Sequence, residues 1–123
     1  MRKTESNEFE SVIMYFIEID KKNRLLKLFN DRILIKKYPV AVGKPSTPTP
    51  SGYWTIISKG LWGAQFGGHF MRLNIPWGIY GIHGTDMPWS IKQAVSHGCV
   101  RMYSNDAKEL YNIVPIGTSV HIY

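Results

Sequence analysis

The chain holds one cysteine, Cys99, in the stretch SHGCVRM (residues 96–102), with His97 two positions before it and Arg101 two positions after. A second histidine, His83, opens HGT sixteen residues upstream. A nucleophilic cysteine needs a base to take the thiol proton, hydrogen-bond donors where a carbonyl oxygen becomes negative, and a group that orients the base. The sequence has a candidate for each. His83 follows the apolar run IYGI and is expected at a strand end, where Gly84 lets the backbone come close. Gly98 leaves the main-chain N–H groups beside Cys99 unobstructed. A helical turn opening at CVRM would lower the thiol pKa through its positive end. The base is expected to be His83 rather than His97, because residues two apart on a tight turn aim their side chains differently. The expected pair is thiolate and imidazolium.

Two other uses of the cysteine compete. A lone free cysteine is commonly inert packing, but His97, Gly98 and Arg101 make poor surroundings for a core hydrophobe. His83, His97 and Cys99 together offer zinc ligands. The paired CxxC and HxxxH spacings are absent, and Asp86 is the nearest carboxylate to either segment, so no metal is assigned.

The elements that must position these residues are mainly strands. The run SVIMYFIEID (11–20), the turn DKKN and the run RLLKLF form a hairpin, and ND leads into a third antiparallel strand, RILIKKYPVAVG, where Pro39 suits an edge or a bulge. The loop GKPSTPTPSG (43–52) carries three prolines and cannot continue a strand. YWTII resumes the sheet, and SKGLWGAQFGG reads as a flap anchored by Trp62 and Phe66. HFMRLNI and IYGIH are further strands. A helix is expected over SNDAKELYNIV, capped by Ser104 and Asn105, with Ala107, Leu110, Tyr111 and Val114 on one face and Pro115 as its stop. GTSVHIY closes the sheet. The expectation is a single-domain, mainly β fold, a curved mixed sheet or β-sandwich-like arrangement with one or two short helices.

Composition narrows the class. A hydrophobic content of 44% with 20% charged residues in 123 residues suits one packed domain. One cysteine cannot form an internal disulfide, so stability must come from packing. The longest apolar run, Val12 to Ile17, is far short of the roughly 20 residues of a spanning helix. No signal-peptide segment follows MRKTESNEFE, so no export signal is read in this chain. The net charge of +6 suits anionic partners without choosing among them and is read here as a solvated surface.

YGIHGT, the interval to Cys99 and SHGCVRM together resemble the L,D-transpeptidase catalytic domain (YkuD-like) family. The likeness runs on through FIEIDKKNRLLKLF, YPVAVGKPSTPTPSGYWTI, FGGHFMRLNIPWGIYGIHGT and VPIGTSVHIY, nearly the whole chain from about residue 13. The resemblance implies an N-terminal extension at 1–11 and a catalytic domain at 12–123. It implies Cys99 as the acyl-accepting nucleophile, His83 as its base and the Gly84 carbonyl as the group orienting the imidazole. His97, Gly98 and Cys99 would supply oxyanion donors, with Ser96 and Arg101 grouped beside them. Arg101 is read as holding a substrate carboxylate or making a structural salt bridge. The substrate would be a peptidoglycan stem peptide: attack on the carbonyl of its third residue, release of D-alanine and transfer to an amine, giving a 3→3 cross-link or, with another acceptor, attaching a protein or exchanging a D-amino acid. Water as acceptor would make an L,D-carboxypeptidase, and a non-catalytic wall-binding module is the alternative of another class. The implied protein is a monomer of the cell envelope, without cofactor or nucleic-acid partner. The chain departs from the family pattern at Gly68 and His69, where Thr-Arg is frequent, and at Arg72, where glycine is common; these touch the outer wall of the site. His69 reads as a partly exposed strand residue, with a substrate contact as the alternative, and His121 is given no role.

Overall fold

A computed structural model describes residues 14–123. The N-terminal extension at 1–11 and the start of the first expected strand lie outside the described residues. The chain opens with β1 (Tyr15–Asp20), β2 (Leu25–Asn30) and β3 (Ile33–Gly43), paired antiparallel in that order. Side chains alternate across a strand, and Ile17, Ile19, Leu26 and Leu28 are accordingly all fully buried while their neighbours face outward. The first turn is held by Asp20, whose carboxylate accepts from the N–H and the side-chain amide of Asn23 at 3.0 and 2.8 Å. Pro39 lies where β3 leaves β2: Leu25 faces Pro39, and the next residue, Val40, already faces Met102 of another strand. Its missing N–H falls at that exchange of partners.

Six further strands follow: β4 (Gly52–Gly60), β5 (Phe70–Leu73), β6 (Tyr80–His83), β7 (Ala94–Ser96), β8 (Val100–Met102) and β9 (Ser119–Ile122). Their order is β2-β1-β9-β4-β5-β6-β8-β3-β7, and the β2–β3 pairing closes the first eight into a ring with β7 outside it. The curved mixed sheet is thus present, closed on itself. Three pairs are parallel: β1 with β9, β3 with β7 and β6 with β8. The VRM of CVRM is strand β8, not the start of a helix, because Val100 and Met102 alternate into the core beside Ile82.

The one α-helix among the described residues is α1 (Ser104–Ile113), with short 3-10 turns at Ala64–Phe66 and Pro88–Ser90. It packs on β5 and β6. Ala107 and Leu110 are fully buried, Val114 lies at the helix end and is buried too, and Tyr111 is half-buried, as the apolar spacing requires. The expected caps are not made. Tyr103 occupies the N-cap position without a side-chain hydrogen bond, and the Ser104 hydroxyl donates instead to the Thr85 carbonyl at 2.9 Å, tying the helix start to the HGT segment. At the other end Lys59 Nζ donates to the carbonyls of Tyr111 and Val114 at 2.5 and 2.8 Å, which satisfies acceptors the helix leaves open. No helix among the described residues is long and apolar enough to cross a membrane.

Leu110→Ala, which empties a fully buried position under the helix, should lower the unfolding free energy by about 2–5 kcal/mol. Leu61→Ala, at a position 75% exposed, should change it by less than about 0.5 kcal/mol. Urea denaturation followed by circular dichroism measures both.

Candidate active site

The parallel pair β6–β8 brings the two motifs together. His83 ends β6 and Cys99 immediately precedes β8, with Ile82 opposite Val100 and His83 opposite Arg101. Because Val100 and Met102 point into the core, the period of two sends Cys99 and Arg101 to the opposite face, on which His83 also lies. All three line one pocket of about 230 Å³, together with Ser96 and His97. Gln65 and Phe66 from the flap, Ile79 and Met87 complete it. Among the expected site residues only Gly84 and Gly98 do not line the pocket; having no side chains, they offer it backbone groups alone.

His83 is 4% exposed. Its antiparallel neighbour Phe70 stacks on the imidazole at 5.3 Å between ring centres, 8° from parallel, and Trp62 stacks on Phe70 at 3.9 Å. Phe66 meets the imidazole edge-on at 5.0 Å. The flap anchors expected from sequence therefore wall in the His83 imidazole, Phe66 directly and Trp62 through Phe70. His83 Nδ1–H donates to the Gly84 carbonyl at 2.5 Å, which leaves Nε2 as the nitrogen with a free lone pair. Gly84 is confined in turn: a Cβ there would lie 2.9 Å from the Gly67 Cα and 3.0 Å from the Ser104 Cα.

The surroundings of the two groups work against the expected thiolate–imidazolium pair. Burial depresses the His83 pKa to about 4, against the Gly84 hydrogen bond that favours the cation, and Arg101 adds to the depression. Burial also raises the Cys99 thiol above its usual range, although a backbone hydrogen bond from Gly81 and the charge of Arg101 oppose this. Loss of water disfavours either charged form, and burial pushes the two groups toward thiol and neutral imidazole. β8 also replaces the helix end that was expected to lower the thiol.

Ser96 organises the loop. Its buried hydroxyl accepts from the Gly98 N–H at 3.1 Å and donates to the Cys99 carbonyl at 2.6 Å. The Gly98 N–H is therefore engaged within the loop, which narrows the expected oxyanion donors to His97 and Cys99. Gly98 has φ +126°, a backbone shape that side chains disfavour, and a Cβ there would lie 2.5 Å from the Tyr80 ring. The proline-rich segment grips the same loop: the Ser96 carbonyl accepts from Lys44 N–H at 3.0 Å and from Thr47 Oγ at 2.8 Å. Arg101 has no carboxylate within ion-pair distance among the described residues, so its charge faces the pocket. His83, His97 and Cys99 share the pocket, yet no three His, Cys, Asp or Glu among the described residues stand close enough to hold one metal ion.

A family model for the L,D-transpeptidase catalytic domain (YkuD) matches residues 14–122. The chain belongs to this family. It is 44% identical over 111 residues to the YkuD protein of Bacillus licheniformis, covering 89% of this chain and 66% of that protein. The catalytic domain of the E. faecium L,D-transpeptidase is 25% identical, with a TM-score of 0.76 over 92% of this chain and 99% of that one. L,D-transpeptidase 3 from Mycobacterium tuberculosis, solved with a faropenem-derived adduct, has a TM-score of 0.75 at 20% identity, over 89% of this chain and 60% of that one. Both motifs of this L,D-transpeptidase domain fall within the matched residues.

Phe70 and Tyr80 were not singled out from the sequence. Their signal is present in the antiparallel register that sets Phe70 opposite His83, but register is not legible until the strands are paired. His69 lies just before β5, half-buried, with its ring edge-on to Tyr111 at 4.9 Å. His121 stacks on Tyr53 at 4.1 Å, away from the pocket residues.

A histidine held neutral to about pH 4 when folded takes up its proton near pH 6.5 when unfolded. The unfolded chain then binds more protons between these values, so stability should fall as the pH drops through that interval, by a few kcal/mol at most. Urea titrations at pH 7 and pH 4.5 should show a smaller loss for His83→Gln than for wild type.

Proposed function

We propose that this domain is a cysteine L,D-transpeptidase acting on peptidoglycan stem peptides at the cell envelope. The chain spans 66% of the length of its Bacillus licheniformis relative, and the proposal concerns the reaction of this domain. The observation that carries it is the committed proton of His83: with Nδ1 bound to Gly84, Nε2 is the basic atom in the pocket that also holds Cys99.

In the proposed cycle Arg101 draws a stem carboxylate into the pocket, and the carbonyl of the third stem residue comes against Cys99. Sγ bonds to that carbon as its proton passes to His83 Nε2, so charge forms only as the bond forms. The oxygen that becomes negative is met by the main-chain N–H groups of His97 and Cys99. As the C–N bond breaks, the imidazolium returns the proton to the departing D-alanine amine. A thioester on Cys99 remains. An amine of a second stem attacks it, passes a proton to His83 and takes the acyl group as a 3→3 cross-link, and the sulfur leaves and is reprotonated.

A fold with no catalytic duty has no use for a base whose tautomer is set beside a thiol in a pocket, which favours the enzyme over a wall-binding module. Intact-protein mass spectrometry with purified tetrapeptide stems should show the acyl-enzyme and released D-alanine. Cys99→Ala should lower release by at least about a thousandfold while the protein stays folded; release at the wild-type rate would remove the thiol from the chemistry.

The same thiol should also take a strained acyl donor. A carbapenem or penem is expected to add one drug mass to the peptide containing Ser96 to Met102, and an unmodified peptide after prolonged exposure would argue against an accessible nucleophile.

A further inference from the structure

A second groove, of about 340 Å³, adjoins the catalytic pocket and shares His97 with it. Its walls are Trp77, Tyr80, Pro48 and Pro50, with Ser46 as a further polar group. Trp77 is 64% exposed, yet it is braced: Trp54 meets it edge-on at 5.7 Å and is itself fixed by its Nε1–H donating to the Pro50 carbonyl at 3.1 Å. Tyr80 is seated against Gly98 with no room for a Cβ between them. No Asp, Glu, Lys or Arg lines this groove, whereas the catalytic pocket carries Arg101.

A stem peptide bears several carboxylates and would find no counter-charge here. A pyranose ring presents an apolar face of C–H groups, slightly positive and suited to the negative face of an indole, and its hydroxyl and acetamido groups are neutral partners for Ser46 and His97. Chain length places the sugar nearby. With the third stem residue at Cys99, two residues precede it, about 7 Å of extended chain before the sugar that carries the stem.

We propose that this groove is a saccharide subsite that takes an N-acetylated sugar of the glycan strand, with Trp77 as its platform. This rests on the stem-peptide reading above. The probe is the β-1,4-linked tetramer of N-acetylglucosamine, titrated by calorimetry into wild type, Cys99→Ala, Trp77→Phe, Trp77→Ala and Trp89→Ala, the last altering an exposed tryptophan that lines neither pocket. Saturable binding is expected in wild type, Cys99→Ala and Trp89→Ala, retained in Trp77→Phe and about tenfold weaker in Trp77→Ala. Absence of binding in wild type, or binding unaffected by Trp77→Ala, would overturn the subsite. Release of D-alanine from free tetrapeptide, measured alongside, reports on the reaction alone: turnover without saccharide binding defeats the subsite, and saccharide binding without turnover defeats the proposed reaction.

Discussion

The imidazole of His83 lies dehydrated between aromatic rings, with one nitrogen bonded to the carbonyl of the next residue, and the chemistry of the site follows from that placement. Stacking on Phe70 and the edge of Phe66 leave the ring no alternative plane. The Gly84 carbonyl leaves it one tautomer. The low surrounding polarity makes protonation costly, and His83 stays an acceptor across the neutral range. A base of this kind takes a proton only when something compensates the new charge. In the proposed reaction that is the oxyanion forming against the loop.

The push toward neutral forms bears on Cys99 too. A thiol raised by burial is a poor nucleophile toward stray electrophiles and oxidants, since the thiolate is the reactive form. Arg101 opposes burial at the thiol and reinforces it at the histidine. Its charge therefore biases the pair toward deprotonation of both groups, and a bound carboxylate would cancel that bias. In the proposed cycle, substrate binding and proton transfer are linked through this one side chain.

Rigidity around the site comes from the backbone of three segments. Ser96 closes the turn that carries Gly98 and Cys99, the proline-rich segment holds Ser96 through Lys44 and Thr47, and Ser104 ties α1 to Thr85. The flap is pressed on HGT at the Gly67–Gly84 contact. None of these ties uses a charged side chain, which suits a dry site, where an unpaired charge is expensive.

The sequence by itself determined the local chemistry: a histidine and a cysteine in two motifs, strands over SVIMYFIEID and RLLKLF, a helix with Ala107 and Leu110 on its buried face, and aromatic anchors at Trp62 and Phe66. These are legible because they depend on residue type and on spacings of two or three to four. The tertiary structure decided what those groups become. Phe70 faces His83 only through the register of β5 and β6, and the ring closes only through the β2–β3 pairing. Ser104 turned from helix cap to brace because Thr85 lies within its reach, and VRM after Cys99 became a strand because β6 offered it a parallel partner. The protonation state was the furthest from sequence. Motifs name an acid and a base, but their pKa values depend on how much water the fold removes from around them, and that is fixed by residues distant in the chain.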